Sequence, residues 1–318
     1  MTRQITLLLS CIILLLSCRK EEEIVHSTDT NVTEGEQSES IKGFFLLNEG
    51  KMGSNKATID YFDYETGVYT KNIYAERNPG VVKELGDVGN DIQIYGDKLY
   101  AVINCSHFVE VMDVNTAKHI TQISIPNCRY LAFKDRYAYV SSYAGPVLID
   151  PNARLGYVAK VDTVTLQVVD TCTVGYQPDE LVVVGNKLYV ANSGGYRVPN
   201  YDNTISVIDL ETFTEIKKIE VAINLHRLEL DKYGYLYVSS RGDYYYTPSK
   251  TFIIDTKTDQ VIKTLNLLPN TEMTLCGDSL YIYSTEWSYL TNSNTISYAI
   301  YDVAKRKTVT RNFITDGT

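Results

Sequence analysis

The chain has 318 residues, of which 44% are hydrophobic and 22% are charged, and its formal net charge is −9 at pH 7. This length and apolar content are sufficient for one large domain with its own core. The acidic balance argues against nucleic-acid binding, which depends on Lys and Arg neutralising phosphates, and against electrostatic docking to anionic lipid.

The N-terminus predicts a signal peptide. Arg3 supplies a positive charge, and residues 5–16 form an apolar stretch that is too short to span a bilayer as a mature helix. The sequence Leu15-Leu16-Ser17-Cys18 resembles a bacterial lipobox. We therefore expect residues 1–17 to be a lipoprotein signal peptide and Cys18 to be lipidated. A second lipobox-like sequence at residues 8–11 follows a very short apolar stretch, and an ordinary secretory signal is the alternative.

A polar segment follows Cys18. Arg19-Lys20-Glu21-Glu22-Glu23 resembles the surface-export signal of Bacteroidetes lipoproteins, with a solvated charge run as the alternative. Residues 24–41 are rich in Ser, Thr, Glu and Asn, a composition typical of flexible segments. We predict that residues 18–42 are a lipidated Cys and a flexible tether, and that residues 43–318 are the globular domain. The protein would touch the membrane only through its lipid anchor.

From Gly43 onward one segment occurs six times. Its marker is an Asp that ends a strand and opens a turn, with a Thr three positions later in five copies. These Asp residues are spaced 46 to 50 residues apart: Asp63, Asp113, Asp162, Asp209, Asp255 and Asp302. Such a carboxylate can accept backbone N–H bonds inside the turn, so we expect a structural role for all six. A β-rich repeat of this period predicts an all-β β-propeller with one blade per repeat.

Each repeat reads as four strands, A to D. Strand B is an aromatic and β-branched run such as Leu188-Tyr189-Val190-Ala191, and its Tyr is predicted to pack in the core. The first repeat begins at strand B, and the last residues follow the sixth strand D directly. This pattern fits either a six-bladed ring with one three-stranded blade or a chain that lacks about one blade. We expect the second, a seven-bladed propeller in the complete protein, with residues 43–318 incomplete at the C-terminus.

The loops predict where binding occurs. A–B and C–D turns are short and alike, whereas B–C loops are long and varied and share one face with the D–A connections. Varied loops on a repeated scaffold are typical binding surfaces, and Tyr, Trp and Arg carry most interface energy. The predicted ligand-binding residues are Tyr143, Arg154, Tyr176, Tyr196, Arg197, Tyr201, His226, Arg227, Arg241, Tyr244, Tyr245, Tyr246, Trp287 and Tyr289. Packing against neighbouring loops is the alternative for any single Tyr.

Metal and redox chemistry are not predicted. His107 and His226 share the loop face without a third ligand, and no Cys pair has the spacing of a zinc or redox motif. Cys105 and Cys128 are predicted on the same face, so a disulfide between them is possible, with free buried thiols as the alternative.

Two resemblances extend this interpretation. Leu188 to Gly194 followed by Thr204 to Asp209 looks like the YVTN family of propeller repeats. Residues 43–54 and 198–204, with the lipobox and the tether, resemble the BtuG surface lipoproteins of gut Bacteroidetes. That resemblance implies a seven-bladed propeller on the outer-membrane surface, which captures cobalamin (vitamin B12) as a transported ligand and passes it to a TonB-dependent outer-membrane transporter. It implies no other cofactor.

Three other functions stay open. A surface glycan-binding propeller would also use Tyr and Trp, because both stack on sugars. A propeller hydrolase, lactonase or lyase would need a bound cation or an acid–base pair at the channel mouth. A purely structural or adhesive propeller is the third. The carboxylates available for catalysis do not form a local sequence motif. They are Glu49, Asp87, Asp91, Asp179, Glu180, Asp243 and Glu286. The sequence therefore favours a binding protein over an enzyme.

Overall fold

The computed structural model describes residues 25–35, 41–81, 84–268, 271–288, 292–311 and 314. The predicted signal peptide, Cys18 and Tyr289 lie outside the described residues, as do the side chains of Glu286 and Trp287. Within the described part of the chain there are twenty-four strands and one short helix. None of its helical structure is long and apolar enough to cross a membrane.

The strands form six four-stranded antiparallel sheets, numbered here as blades 1 to 6 in chain order. Blade 1 has the strand order β1-β4-β3-β2, formed by β1 (Thr28–Asn31), β2 (Gly43–Asn48), β3 (Thr58–Asp63) and β4 (Val68–Lys71), and helix α1 (Ile73–Arg77) follows it. The other blades each use four consecutive strands in sequential order. Blade 2 contains β5 (Gly89–Tyr95), β6 (Lys98–Ile103), β7 (Phe108–Asp113) and β8 (His119–Ser124).

Blades 3 to 6 repeat this arrangement of consecutive strands. Blade 3 contains β9 (Cys128–Lys134), β10 (Tyr137–Ser142), β11 (Tyr157–Asp162) and β12 (Gln167–Thr173). Blade 4 contains β13 (Pro178–Val184), β14 (Lys187–Asn192), β15 (Thr204–Asp209) and β16 (Thr214–Glu220). Blade 5 contains β17 (Leu225–Leu230), β18 (Tyr235–Ser240), β19 (Lys250–Asp255) and β20 (Gln260–Leu265). Blade 6 contains β21 (Thr271–Cys276), β22 (Ser279–Ser288), β23 (Ser293–Asp302) and β24 (Lys307–Thr310). The predicted β-propeller fold class and its strands A to D are confirmed.

The chain divides into two compact units, residues 1–87 and 88–318. The first unit contains blade 1, whose β1 pairs with β4 from Thr28 opposite Lys71 to Asn31 opposite Val68. This strand lies within residues 18–42, the segment for which a flexible tether was predicted. Composition alone gives no signal for β1, because its stability comes from the backbone groups of β4, about forty residues away in sequence.

The repeated Asp forms the same turn in every blade. In blade 2 the Asp113 carboxylate accepts the backbone N–H groups of Asn115 and Thr116 at 3.1 and 2.9 Å. Equivalent bonds are made by Asp63, Asp162, Asp209, Asp255 and Asp302. The structural role predicted for these six carboxylates is therefore confirmed.

Within the second unit the blades pack through the repeated Tyr of strand B. Tyr100, Tyr139, Tyr189 and Tyr237 are at most 2% exposed. Each contacts the following blade: the partners are Phe133, Phe213, Asp259 and Tyr301, respectively. Burial of an aromatic side chain stabilises a fold by roughly 2 to 3 kcal/mol, so this repeated contact is a large part of the cohesion between blades.

A β-bulge interrupts the innermost strand of blades 2 to 5. In blade 3, Leu131 pairs with Val140, but the next paired residues are Cys128 and Ser142, which leaves one extra residue on β9. The same shift occurs between Leu181 and Pro178 on β13, between Leu228 and Leu225 on β17, and between Asp91 and Gly89 on β5. Bulges redirect side chains beside functional sites, and these four lie where charged residues cluster.

Candidate functional site

The inner strands and the residues beside them bring ionisable side chains from blades 3 to 6 together. This inner cluster consists of Arg129 on β9, Asp179 and Glu180 on β13, His226 and Arg227 on β17, Arg241 after β18 and Glu272 on β21. Ser141 and Ser239 lie opposite the bulges of blades 3 and 5. Their hydroxyl groups accept the backbone N–H groups of the bulged residues Tyr130 and Arg227 at 3.1 and 3.0 Å. The bulge geometry is thus fixed by local hydrogen bonds.

Asp179 is the centre of the cluster and is fully buried. Its Oδ1 accepts hydrogen bonds from Nε of Arg129 at 3.0 Å and from the hydroxyl of Tyr143 at 2.9 Å. Its Oδ2 lies 3.2 Å from Nδ1 of His226 and 3.9 Å from Nη1 of Arg241. Burial by itself would raise the pKa of Asp179, but Arg129, His226 and Arg241 hold that pKa well below its usual range. Asp179 is therefore ionised at neutral pH.

His226 bridges two carboxylates. Its Nδ1 faces Asp179, and its Nε2 lies 2.8 Å from Oε1 of Glu272 and 2.8 Å from Nη2 of Arg241. Burial would raise the pKa of Glu272, but contacts with His226, Arg227 and Arg241 lower it. The two carboxylates bind opposite nitrogens of the ring and do not converge. Among the residues that the structure describes, no three His, Cys, Asp or Glu side chains are arranged to hold a metal ion.

Two further carboxyl groups connect one blade to the next. Oε2 of Glu180 accepts the backbone N–H of Leu228 at 2.6 Å, and Asp91 accepts the backbone N–H of Leu131 at 2.9 Å. Burial raises the pKa of Glu180 to about 8, although Arg227 opposes the shift, and burial also raises the pKa of Asp91. Both carboxyls therefore have a structural role between adjacent inner strands.

Aromatic rings cover two of the guanidinium groups of the inner cluster. The Arg129 guanidinium lies 4.9 Å from the ring centroid of Tyr143, and that of Arg227 lies 5.3 Å from the centroid of Tyr130. Tyr143 in turn meets Tyr196 edge to face at 6.4 Å. Such cation–π and aromatic contacts each contribute roughly 1 kcal/mol and restrict the rings to one orientation. The aromatic loop residues and the charged base are thus one continuous structure.

The loop face is formed by three connections, residues 143–156, 193–203 and 241–249, which join strands B and C in blades 3, 4 and 5. The first two are tied together, since the backbone N–H of Asp150 donates to the carbonyl of Tyr196 at 2.9 Å. Arg197 stacks over Tyr176 at 3.5 Å and donates to the carbonyl groups of Asn200 and Pro151 at 2.7 and 3.2 Å. Arg197 therefore acts as a clamp between loops.

Arg154 makes a contact of the same kind. Its Nη2 donates to the carbonyl of Ala144 in its own loop. Both Arg154 and Arg197 were predicted to bind ligand, and in the structure their guanidinium groups donate to backbone carbonyls. A long irregular loop exposes unpaired carbonyls, and Arg offers several donors to satisfy them.

The third loop presents the most exposed aromatic residues of the chain. Tyr245 and Tyr246 are 86% and 94% exposed, and Tyr244 is also exposed. Oδ1 of Asp243 accepts the backbone N–H groups of Tyr245, Tyr246 and Thr247 at 2.9, 2.7 and 2.8 Å. Tyr201 lies nearby in the neighbouring loop. Burial raises the pKa of Tyr201, and the nearby Asp243 and Tyr244 raise it further. The Tyr triplet is thus displayed on an ordered turn.

Two cavities adjoin the inner cluster. One of about 310 Å³ lies under the 143–156 loop and is lined by Tyr143, Gly145, Pro146, Leu148, Asp150, Ala153, Arg154 and Gln177. The other, of about 410 Å³, is lined by Arg227, Glu272, Met273, Thr274, Tyr281, Ile282, Tyr283 and Tyr298. Both volumes are in the range of small-molecule sites.

Comparison with known proteins gives the family. Residues 42–252 match the family described as a domain of unknown function, DUF5074. The chain belongs to this family. No curated protein matches it.

Solved structures similar to this DUF5074 chain confirm the propeller fold. Hydrazine synthase of Kuenenia stuttgartiensis superposes with a TM-score of 0.59 at 17% identity, over 69% of this chain and 64% of that one. The dihydro-heme d1 dehydrogenase NirN in complex with DHE superposes with a TM-score of 0.53 at 13% identity, over 84% of this chain and 54% of that one. The Pan2 WD40 domain of Neurospora crassa superposes with a TM-score of 0.50 at 13% identity, over 70% of this chain and 65% of that one. The chain thus covers less than two thirds of the length of each.

The structure brings together four of the residues predicted from sequence, Tyr143, His226, Arg227 and Arg241. It adds Glu272 and Tyr130, which sequence reasoning did not select. A usable signal existed in the sequence of the DUF5074 domain. Two polar or charged residues precede the same apolar position of the inner strand in blades 2, 4 and 5: Asn90-Asp91, Asp179-Glu180 and His226-Arg227.

The cysteines do not form the disulfide considered from sequence. Cys105, Cys128, Cys172 and Cys276 are not joined in disulfides. The thiol of Cys128 is fully buried and lies 3.2 Å from the carbonyl oxygen of Phe108, while that of Cys105 lies 3.4 Å from Oδ1 of Asn104. Burial raises the pKa of Cys128 to about 12, which makes it unreactive.

Proposed function

We propose that the loop face of blades 3 to 5 binds a corrinoid, with cobalamin as the transported ligand, and that the protein acts as a capture protein without catalytic activity. The proposal includes a lipid anchor at Cys18, a position on the outer-membrane surface and transfer of the ligand to a TonB-dependent transporter. The observation that carries it is the combination, on one face, of an ordered aromatic rim and a cationic base.

The chemistry of the face suits a corrinoid. A corrin ring offers a broad, largely apolar face with a fringe of amides. Tyr244, Tyr245 and Tyr246 supply exposed aromatic area on a turn already ordered by Asp243. Tyr combines contact area with a hydroxyl and loses little conformational entropy on binding, so an ordered Tyr loop is an efficient binder. Beneath it, Arg241 offers donors for amide carbonyls.

The BtuG-like segment at residues 198–204 belongs to this same face. Asp202, within this segment, is buried and accepts the backbone N–H groups of Tyr176, Asn203 and Thr204 at 2.8, 2.7 and 3.0 Å. The sequence resemblance and the candidate site therefore coincide in one ordered loop, which supports the ligand suggested by that resemblance.

The contacts of the carboxylates favour binding over catalysis. Asp179 is surrounded by Arg129, Tyr143 and His226, and Glu180 and Asp91 accept backbone N–H groups of the next blade. A general base or a cation ligand needs a carboxylate directed toward substrate. These three side chains are instead directed toward protein partners.

A glycan is the second candidate ligand, because the exposed rings of Tyr245 and Tyr246 could also stack on sugars. Isothermal titration calorimetry of the purified protein against cyanocobalamin and a panel of oligosaccharides separates the two. Saturable binding of cyanocobalamin without sugar binding supports the proposal. Sugar binding without corrinoid binding would replace it.

The lipid anchor has its own test. Cys18→Ser should abolish labelling by radioactive palmitate and move the protein from the membrane fraction to the soluble fraction. Continued membrane association of this variant would count against anchoring at Cys18.

A further inference from the structure

Arg241 is the most accessible guanidinium of the inner cluster. Its side chain is 30% exposed, compared with 13% for Arg129 and 22% for Arg227. It stands at the start of the 241–249 loop, three residues before Tyr244, and the two side chains are close enough to interact electrostatically. Arg241 therefore lies where the charged base meets the aromatic rim.

The protein holds Arg241 without using most of its hydrogen-bonding capacity. Its Nη1 and Nη2 lie 3.9 Å from Oδ2 of Asp179 and from Oε1 of Glu272, which is ion-pair distance but too long for a hydrogen bond. Within the described part of the chain, the only hydrogen-bond contact of its side chain is to Nε2 of His226 at 2.8 Å. A guanidinium carries five N–H donors in a planar fork, so donors remain for a ligand.

The charges around Arg241 favour an anionic ligand group. Three guanidiniums, those of Arg129, Arg227 and Arg241, face two carboxylates with lowered pKa, Asp179 and Glu272. Glu180 has its pKa raised to about 8 by burial and is mostly protonated at neutral pH. Of these three guanidinium-bearing side chains, that of Arg241 is the most exposed to solvent.

We propose that Arg241 is the oxyanion contact of the loop face and takes one monoanionic oxygen group of the ligand, a phosphodiester or a carboxylate. Arg binds such groups through two parallel N–H donors, which gives both affinity and orientation. The contacts with Asp179, Glu272 and His226 fix the fork before the ligand arrives and so lower the entropic cost of binding.

This inference rests on the proposed function, and it makes that function more specific. Cobalamin carries one phosphodiester, in the nucleotide that links its lower base to the corrin ring, whereas cobinamide has the corrin ring and most of the amides but no nucleotide. The site is therefore expected to bind complete cobalamin more tightly than cobinamide, and Arg241 is expected to be the residue that distinguishes them.

The experiment compares cyanocobalamin with dicyanocobinamide in calorimetric titrations of the parent protein, Arg241→Gln, Arg241→Lys and the control Lys257→Gln. The control removes the same charge from an exposed turn between β19 and β20. Arg241→Gln leaves Asp179 and Glu272 with one cation fewer, which could by itself disturb the site. Arg241→Lys is therefore included, since it preserves the positive charge while removing the planar guanidinium fork. Melting temperatures identify any variant whose fold is impaired.

We expect Arg241→Gln to lose about ten- to a hundred-fold in cyanocobalamin affinity, as for the loss of a charged hydrogen bond, and less than about three-fold in cobinamide affinity. Arg241→Lys should fall between parent and Gln variant for cyanocobalamin only, and Lys257→Gln should match the parent. Equal affinity of the parent for the two corrinoids, or equal losses for both in the variants, would overturn this inference while leaving the proposed function intact. Absence of binding to either corrinoid would overturn both.

Discussion

The Arg129 guanidinium and the Asp179 carboxylate, fifty residues apart in sequence, are joined by a 3.0 Å hydrogen bond between adjacent blades. The same carboxylate contacts Tyr143 and His226, so one buried charge organises side chains from three blades. A buried carboxylate is stable only when its charge is compensated and its oxygens are hydrogen-bonded, and both conditions are met here. The candidate site is therefore coupled to the stability of the fold.

The Asp179→Asn substitution should show this coupling. It keeps the size of the side chain but removes the negative charge that compensates Arg129, so we expect a loss of about 3 to 5 kcal/mol in the free energy of unfolding. Urea denaturation measures it, and Asp170→Asn, on the exposed strand β12, is the matched control with an expected change of about 0.5 kcal/mol or less. Equal changes in the two variants would show that the buried charge is not coupled to the fold.

Glu180→Gln should change the pH dependence of stability. Burial raises the pKa of Glu180 from 4.5 to about 8, so the folded state holds a proton that the unfolded state releases above about pH 4.5. The parent therefore loses stability as pH rises from about 4.5 through about 8, and the Gln variant lacks this loss. We expect the variant to gain about 3 kcal/mol relative to the parent between pH 5 and pH 9. Parallel stability profiles in denaturation series would refute the assignment.

Asp243→Ala should loosen the Tyr loop without unfolding the domain. It removes the acceptor for the N–H groups of Tyr245, Tyr246 and Thr247, so we expect about ten-fold faster amide exchange at these positions and weaker corrinoid binding at an unchanged melting temperature. Asp209→Ala, which removes a similar acceptor from a turn between strands C and D, serves as the control and should leave binding unchanged. If Asp243→Ala bound the corrinoid as tightly as the parent, the order of the Tyr loop would not contribute to binding.

The cysteines predict a labelling pattern. Cys276 is exposed and should react with iodoacetamide in the native protein, whereas Cys128 is buried, has its pKa raised to about 12 and should react only after denaturation. Mass spectrometry without reductant should count four labelled thiols, at positions 105, 128, 172 and 276, in the denatured protein. Failure to label Cys105 and Cys128 together would indicate a disulfide between them.

The repeated part of the fold was predictable because it depends on local interactions. The Asp113 turn is specified within four residues, since its carboxylate bonds N–H groups two and three positions ahead. The packing of the strand-B Tyr was predictable in blades 2 to 5, because the aromatic pattern recurs and these rings are buried, whereas Tyr281 of blade 6 is exposed. Strand β1 was not predictable, since its partner β4 lies about forty residues away and its own composition is polar.

The inner cluster was only partly predictable. His226, Arg227 and Arg241 were selected because Arg and His in varied loops are typical of binding surfaces. Their partners Asp179 and Glu272 lie roughly 45 residues away in neighbouring blades, a separation at which no local spacing connects them. The carbonyl contacts of Arg154 and Arg197 were not predictable, because a sequence gives no information about which loop carbonyls need donors.

The central claim is that the loop face of blades 3 to 5 binds a corrinoid, and calorimetry of cyanocobalamin binding to the parent, Tyr245→Ala and Lys257→Ala tests it most directly. Tyr245 lies on that face, and Lys257 lies on an exposed turn between strands C and D. We predict saturable binding to the parent, a loss of about 2 kcal/mol or roughly thirty-fold in affinity for Tyr245→Ala, and parent-like affinity for Lys257→Ala, at equal melting temperatures. No binding to the parent, or a loss confined to Lys257→Ala, would contradict the claim.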